Sequence, residues 1–332
     1  MRSFKVALVG AEGHRVPDWV YSQLAEAHID FIVQECTTRE ELGRHAADVD
    51  VVWVWGSRVI TAERLDLLRR CGAILRSGSG TDNVPVHEAT QRGILVANTP
   101  EAISAEVSDH AVALLLAVAR RIAFQDRAVR QGRWESNLAS PPWHLRGRTV
   151  GVVGFGHIGR LFARKMSGFD VTILAFDPAV AAGRMAEHGV QCASLDEVLT
   201  RADFVSLHCP LTSSTYRLIG ERELCLMKPS AVLINTSRGG VIDEASLIRA
   251  LQEKWIAAAG LDVLEQEPPN PENPLLKMDN VVVTPHVAGY SDVFLDSFWR
   301  YSVDTLVDLA AGRWPRSCVN PSVKPRWSLS RN

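Results

Sequence analysis

The 332-residue sequence has few cysteines and no paired cysteine motif. Its six cysteines are scattered along the chain, and none stands in a Cys-x-x-Cys pair. Neither a disulfide scaffold nor a zinc site with the usual ligand spacing is therefore predicted. Scattered free thiols are typical of a reducing compartment, so we expect a cytoplasmic protein without a metal site.

Long apolar runs and an excess of charge of one sign are also missing. The longest strongly apolar run, residues 111–119, has nine residues, whereas a transmembrane helix needs about 20. The amino-terminal apolar segment is too short for a secretory signal peptide. Lys and Arg number 36 and Asp and Glu 38, which gives a net charge of −2. This balance disfavours binding to nucleic acid or to an anionic membrane surface.

Short apolar segments rich in β-branched residues alternate with helix-compatible polar segments along the whole chain. This alternation predicts an α/β fold with two doubly wound parallel sheets, because parallel strands need crossover helices between them. The first series of predicted strands comprises residues 5–9, 31–35, 49–55, 73–76 and 94–97. The second series comprises residues 149–155, 171–177, 204–209, 231–236, 258–263 and 281–285. Its six strands are the number in a complete dinucleotide-binding domain.

The segments outside these strands predict two long helices and one loop. Residues 101–121 combine an apolar-rich body with two arginines at the end, where basic residues suit the helix dipole. Residues 131–148 are polar and contain two prolines, which predicts a loop before the second series. Residues 293–311 predict an amphipathic helix near the end of the chain.

Three glycines stand directly after the first strand of the second series, in the motif Gly154-Phe-Gly156-His-Ile-Gly159. In dinucleotide-binding domains the first glycine permits a tight turn, the second lets the pyrophosphate approach, and the third lets helix pack on strand. The N-terminus of the following helix would offer N–H groups to the phosphates. The alternative is an ordinary glycine-rich turn. Gly10 and Gly13 also follow a strand, but they lack this spacing and predict only a loop.

Asp177 lies 18 residues after Gly159, at the end of the next predicted strand. A carboxylate at this position accepts hydrogen bonds from the ribose hydroxyls of NAD. It would repel a 2′-phosphate, and no arginine follows immediately to relieve that repulsion. The sequence therefore favours NAD over NADP.

Three later strands each end in a polar signature, with Arg238, Glu267 and His286 as the chemically capable residues. Ligands of open α/β sheets bind outside the carboxyl ends of the strands, so these side chains are expected around one cleft. Arg238 can form paired hydrogen bonds with a substrate carboxylate and the reacting oxygen. His286 can give or take the proton on that oxygen, and Glu267 can fix the other ring nitrogen. This set suits hydride transfer between NAD and a 2-hydroxy or 2-oxo acid.

Each of these three residues also has a plain structural interpretation when taken alone. Arg238 could be a turn residue before two glycines, Glu267 a solvated loop charge before two prolines, and His286 an exposed or structural histidine after a proline. The functional interpretation depends on their joint occurrence after the glycine motif.

The segments resemble the D-isomer-specific 2-hydroxyacid dehydrogenase family, which includes phosphoglycerate, glycerate and D-lactate dehydrogenases. The resemblance covers nearly the whole chain and includes residues 77–84, which match a glycine loop of the family. It implies that backbone N–H groups around Ser79 and Gly80 hold the substrate carboxylate. It also implies that Arg238 binds and polarises the substrate, that His286 is the acid/base, and that Glu267 is its partner.

The resemblance implies further cofactor contacts. The expected set is the backbone at His157 and Ile158 on the pyrophosphate, Cys209, Pro210 and Thr236 along the cofactor cleft, and Asp262 on the nicotinamide carboxamide.

The resemblance also implies a domain organisation and an assembly. Residues 1–98 and 290–332 would form a flavodoxin-like substrate-binding domain, and residues 99–289 an inserted Rossmann NAD-binding domain. Relatives form a two-fold dimer through the helix near residues 101–121, so a homodimer is expected here.

Several short sequence motifs, including residues 76–83 and 286–291, look closest to the C-terminal-binding-protein co-repressor branch of the family. The co-repressors carry a tryptophan where this chain has Gly289, so the substrate wall differs. Two alternatives therefore stay open, an NAD(H)-sensing interaction protein and a phosphoglycerate-type dehydrogenase of serine synthesis. Trp55 disfavours a phosphate tail on the substrate, whereas Arg58 and Arg76 leave that possibility open. Formate oxidation is disfavoured because that relative carries glutamine in place of Glu267.

Overall fold

The computed structural model describes residues 3–11, 13–56, 58–134 and 142–330. The chain divides into two compact units, Met1–Ile103 with Ser291–Asn332, and Ser104–Tyr290. The predicted loop 131–148 lies partly, at residues 135–141, outside the described residues. Its described parts contain turns and neither helix nor strand, as predicted.

Both series of predicted strands are present, mostly one or two residues shorter at their ends. Among the described residues the strands are β1 (Phe4–Leu8), β2 (Ile29–Val33), β3 (Val51–Val54), β4 (Ala73–Arg76), β5 (Leu95–Asn98), β6 (Thr149–Val153), β7 (Thr172–Phe176), β8 (Gln191–Cys192), β9 (Phe204–Leu207), β10 (Val232–Asn235), β11 (Ala258–Leu261) and β12 (Val281–Val283). The sequence analysis missed β8, because two exposed residues carry no apolar signal.

The α-helices alternate with these strands. Over the same residues they are α1 (Asp18–Glu26), α2 (Arg39–Ala46), α3 (Val86–Gln91), α4 (Ser104–Ala119), α5 (Ile122–Arg130), α6 (His157–Met166), α7 (Ala182–Ala186), α8 (Leu195–Arg201), α9 (Glu221–Leu226), α10 (Glu244–Gln252) and α11 (Phe294–Ala310). No helix of the described residues is both long enough and apolar enough to cross a bilayer.

The first unit contains a five-stranded parallel sheet in the order β2-β1-β3-β4-β5. This is the flavodoxin-like order that the sequence analysis expected. The interior strand β1 aligns Val6 with Phe31 of β2 and with Val51 of β3. Every residue of β3 is buried, including Trp53, and this burial explains why the sequence of that strand is entirely apolar.

The second unit contains a seven-stranded parallel sheet in the order β8-β7-β6-β9-β10-β11-β12. Counted from the first strand of the unit, this is the Rossmann order 3-2-1-4-5-6 followed by one more strand. The strand order reverses between β6 and β9, and ligands of such sheets bind at the carboxyl ends beside that reversal. The predicted fold class is confirmed.

The predicted helix 101–121 corresponds to α4, which ends two residues before the predicted end and begins three residues after the predicted start. A 3₁₀ helix occupies Pro100–Ala102, and α4 begins only at Ser104. Arg121 has a left-handed backbone with φ 55°, which ends the first segment and starts α5 in a new direction. The apolar face of α4 packs against α6 and the sheet, with Leu114 and Leu115 buried beside Phe162. Residues 111–119 therefore contribute to the hydrophobic core of the second unit.

Candidate active site

The glycine loop joins β6 to α6 at the point where the strand order reverses. Gly154 has φ 94°, and a Cβ there would lie 2.6 Å from the amide nitrogen of Cys209, the second residue after β9. A Cβ on Gly159 would lie 2.1 Å from the carbonyl oxygen of Gly154. The first glycine therefore makes the turn, and the third brings α6 onto the loop.

Gly156 differs from the other two glycines because its side-chain position faces open space. Apart from its chain neighbours and the backbone of its own helix, no atom of the described residues lies within 4 Å of a Cβ built there. Gly156 is the N-cap of α6, where backbone N–H groups have no helical partner and the helix dipole favours an anion. The space and the donors together fit the pyrophosphate of a dinucleotide, with His157 and Ile158 in the first turn.

Asp177 follows β7 and fastens the glycine loop to it. Its Oδ2 accepts the Phe155 N–H at 2.8 Å, and its Oδ1 accepts the Ala179 N–H at 2.8 Å. Each carboxylate oxygen has two lone pairs, so both retain a place for a ribose hydroxyl. The contact of Asp177 with the glycine loop was not predicted from the sequence, and its contact with a ribose remains a prediction.

Two buried polar groups at neighbouring strand ends have no hydrogen-bond partner in the described part of the chain. The Thr236 hydroxyl follows β10, and the Nδ1 atom of His208 follows β9. Burial lowers the pKa of His208 to about 3, so its ring is neutral, with Nε2 2.9 Å from the Ser206 hydroxyl. An unsatisfied buried polar group costs about 1–3 kcal/mol. Such groups therefore suit a ligand that supplies the missing partner.

Arg238 lies in a turn after β10 that is organised by the buried side chain of Asn235. The Asn235 Nδ2 donates to the Arg238 carbonyl at 2.9 Å, and its Oδ1 accepts the Ser237 N–H at 2.9 Å. The guanidinium donates to the Ser237 carbonyl at 2.8 Å. Asn235 was not predicted as a functional residue from the sequence. Its type and position, an asparagine at a strand end before a turn, were the available signal.

The Arg238 turn packs closely on the segment that leads to Glu267. A Cβ on Gly239 would lie 1.9 Å from the carbonyl oxygen of Leu264, and the Leu264 N–H donates to Glu267 Oε1 at 3.1 Å. Only glycine fits at this backbone approach. The two loops therefore share a fixed geometry.

Glu267 and His286 form a direct pair. Glu267 Oε2 lies 2.7 Å from Nδ1 of His286. Burial raises the pKa of Glu267, but the hydrogen bond and charge of His286, the Leu264 N–H and the charge of Arg238 together lower it. Because Glu267 is ionised and can only accept, Nδ1 of His286 carries the proton of this bond. The other ring nitrogen, Nε2, is then the atom that can exchange a proton with a ligand.

The backbone of His286 is held in an uncommon conformation by Asp262. His286 has φ 55°, and its N–H donates to the Asp262 carbonyl at 2.8 Å. The Asp262 carboxylate accepts the N–H groups of Val287 at 3.0 Å and Ala288 at 2.9 Å. Its side chain is 1% exposed. In the structure this carboxylate anchors the loop after β12, and its contact with a carboxamide remains a prediction.

Ser79 and Gly80 lie in the first unit, after β4, whereas the other predicted site residues lie in the second. Their loop is shaped by two residues at the end of β5: Asn98 Nδ2 donates to the Ser79 carbonyl at 2.8 Å, and Thr99 Oγ1 accepts the Gly78 N–H at 2.7 Å. Gly78 has φ 110°, a conformation that favours glycine. The roles of Asn98 and Thr99 in holding this loop were not predicted from the sequence.

Known proteins resemble this chain both in sequence and in fold. Residues 112–288 match the NAD-binding domain of the D-isomer-specific 2-hydroxyacid dehydrogenases. The chain belongs to this family. The resemblance stated from the sequence is confirmed, and the chain is an oxidoreductase of the NAD(P)-dependent 2-hydroxyacid dehydrogenase class.

Individual relatives support the same family. A glyoxylate reductase of Korarchaeum cryptofilum is 42% identical over 272 residues, covering 80% of each chain. A D-3-phosphoglycerate dehydrogenase of Archaeoglobus fulgidus is 36% identical to the present chain. The match covers 92% of the present chain but only 60% of the Archaeoglobus protein. The solved NADPH-dependent glyoxylate/hydroxypyruvate reductase of Sinorhizobium meliloti, in complex with NADP and malonate, has a TM-score of 0.84 and 32% identity, covering 99% of this chain and 100% of that one.

Proposed function

We propose that this dehydrogenase reduces a short 2-oxo acid to the D-2-hydroxy acid with NADH. The observation that carries the proposal is the 2.7 Å pair of Glu267 with His286 Nδ1, within electrostatic influence of Arg238. NADH, when bound, supplies the hydride that reaches the carbonyl carbon. His286 Nε2 gives its proton to the carbonyl oxygen as the hydroxyl forms, and it is reprotonated from water. In the reverse direction Nε2 takes that proton.

Glu267 and Arg238 support this proton transfer in different ways. Glu267 keeps the proton on Nδ1, holds the ring orientation and stabilises the imidazolium that donates from Nε2. Arg238 binds the substrate carboxylate and the carbonyl oxygen through its planar pair of donors, which polarises the carbonyl. Ser79 and Gly80 are proposed to bind the carboxylate through backbone N–H groups. The ordered backbone of their loop supports this role.

We assign cofactor binding to residues 99–289 and substrate carboxylate binding to residues 1–98 with 290–332. Asp177 favours NAD because a 2′-phosphate would meet a carboxylate that is held in place by the N–H groups of Phe155 and Ala179. The carboxamide contact of Asp262 and the cofactor-facing positions of Cys209, Pro210 and Thr236 belong to the same proposal. The unsatisfied Thr236 hydroxyl supports it.

The proposed substrates have short side chains, as glyoxylate and hydroxypyruvate do. Trp55 follows β3 and is 3% exposed, with its ring centroid 4.9 Å from Trp299 and 5.6 Å from Phe298. This packed aromatic cluster leaves a bulky apolar wall at the carboxyl end of β3. Relatives named glyoxylate reductase support the same class.

A homodimer and a cytoplasmic location complete the proposal. None of the residues of α5 is buried, and Ile122, Val129 and Trp134 are 55%, 47% and 86% exposed. Ile122 and Val129 are seven residues apart on α5 and so share one helix face, and an exposed apolar face of this kind marks an association surface. The six cysteines are unpaired, as in proteins of a reducing compartment. Sedimentation of the wild type and of Trp134→Ser tests the dimer, because a monomeric wild type would contradict it.

The reaction is tested by NADH oxidation with glyoxylate, hydroxypyruvate, phosphohydroxypyruvate, pyruvate and branched or aromatic 2-oxo acids. A clear preference in kcat/KM for glyoxylate or hydroxypyruvate is expected. Preference for the phosphorylated acid would favour a phosphoglycerate-type dehydrogenase. NADH binding without turnover of any acid would contradict the reductase and favour an NADH-dependent interaction role.

A further inference from the structure

A second histidine is connected to the loop that carries His286. His110 lies on α4, and its Nε2 is 2.9 Å from the Thr284 hydroxyl, two residues before His286. The same Nε2 is 3.6 Å from Oδ1 of Asp262. His110 is half-buried, with 24% of its side chain exposed, and is separated from Thr284 by 174 residues of chain.

The hydrogen-bond partners determine the direction of donation along the series His110, Thr284 and Asp262. Both oxygens of Asp262 accept backbone N–H groups, and Oδ1 also accepts the Thr284 hydroxyl at 2.5 Å. The single hydroxyl proton of Thr284 is therefore used on Asp262, so Thr284 can only accept from His110. His110 must carry a proton on Nε2, and the order of donation is His110 to Thr284 to Asp262.

This series of hydrogen bonds ends at the backbone of His286 and of the two residues that follow it. Asp262 receives the N–H groups of Val287 and Ala288, while its carbonyl receives that of His286. Since hydrogen bonds in series polarise one another, donation by His110 strengthens the bond from Thr284 to Asp262, and that bond fixes the carboxylate on which the backbone N–H groups converge. Nothing else in the described part of the chain hydrogen-bonds the Thr284 hydroxyl besides His110 and Asp262.

We propose that His110 is a positioning residue for catalysis. It acts through Thr284 and Asp262 to fix the backbone of the loop after β12, and thereby the position of His286 Nε2 relative to the substrate carbonyl. Because proton transfer depends on sub-ångström placement, loss of the His110 donor should lower kcat, whereas cofactor binding should be retained.

The kinetic test compares variants that remove or keep the donor, and it rests on the proposed 2-oxo acid reduction. His110→Leu is expected to lower kcat roughly tenfold, with the NADH dissociation constant and the KM for the acid changed less than twofold. His110→Gln keeps an N–H at similar reach and should restore most of kcat. His87→Leu, an exposed histidine of α3, is the control for loss of an imidazole.

A double-mutant cycle checks the route through Thr284. Thr284→Val should lower kcat like His110→Leu, Thr284→Ser should not, and the double variant should be no worse than either single one. Additive effects, or a His110→Gln variant as impaired as His110→Leu, would overturn the proposal.

An activity-independent measurement separates this proposal from the proposed reaction. The ¹⁵N–¹H spectrum of the wild-type imidazoles, assigned by the loss of signals in His110→Gln, should show a proton on Nε2 of His110. The backbone amides of His286 and Val287 should shift in His110→Leu and return in His110→Gln. An Nδ1–H tautomer, or unmoved amides, would overturn the proposal even if the reductase is active. The expected spectra support the positioning even if no tested acid is reduced.

Discussion

Gly239 meets the backbone of Leu264 at a distance that excludes any side chain: a Cβ on Gly239 would lie 1.9 Å from the Leu264 carbonyl oxygen. Gly239 directly follows Arg238, and the Leu264 N–H is bound by Glu267. The absence of one methyl group therefore allows the arginine turn and the glutamate loop to form a single packed unit.

Replacing Gly239 with alanine should destabilise the protein by about 1–3 kcal/mol, because one of the two backbones must move. The same movement should displace Arg238 and lower kcat/KM for the acid by roughly tenfold or more. Chemical denaturation and steady-state kinetics measure the two effects. Gly240→Ala is the matched control, since its Cβ would meet only side chains of Leu211 and Tyr216 at 3.4–3.7 Å. Equal effects in both variants would contradict the assignment.

Replacing His286 with alanine removes the proposed proton donor. We expect kcat to fall by ~10²–10⁴, the usual contribution of a positioned acid/base. NADH affinity, measured by the quenching of tryptophan fluorescence, should change little. His188→Ala, an exposed histidine in the same unit, serves as the control. Near-normal turnover of the His286 variant would exclude the residue as the acid/base.

The lowered pKa of Glu267 predicts the sign of a pH effect on stability. A carboxyl whose pKa is depressed on folding stabilises the protein above its ordinary value of 4.5. That contribution is lost as the pH falls through the lower folded pKa. The difference in unfolding free energy between the wild type and Glu267→Gln should therefore shrink from pH 7 to pH 3. Glu26→Gln, at the exposed end of α1, controls for loss of charge. A widening difference would contradict the pairing with His286.

Replacing Asp177 with serine should narrow the preference for NADH over NADPH by roughly tenfold, because the repulsion of a 2′-phosphate is removed. The variant should also bind NADH more weakly, since Phe155 and Ala179 lose their acceptor. Asp177→Asn removes the charge and keeps one acceptor oxygen, so it should change the preference with a smaller loss of affinity. Unchanged kcat/KM ratios for both variants would exclude Asp177 from cofactor selection.

Much of this molecule could be predicted from local sequence patterns. The strands of both sheets, apart from β8, and the glycine loop appear as short continuous segments, so neighbours along the chain carry their signals. Arg238, Glu267 and His286 could be selected because each follows a strand, and the carboxyl ends of parallel strands share one edge of a sheet. The separate helix α5, which begins directly after the left-handed Arg121, was not predicted from the sequence.

Local sequence patterns were sufficient to predict the family, the order of the elements and the types of residue available for hydride and proton transfer. The way those residues are held is visible only in the folded protein: Asp177 on the glycine loop, Gly239 against Leu264, and His110 on Thr284. Those contacts join residues that are 22, 25 and 174 positions apart. Hydrogen bonding and close packing depend on distance in space, and the folded chain alone brings such partners together.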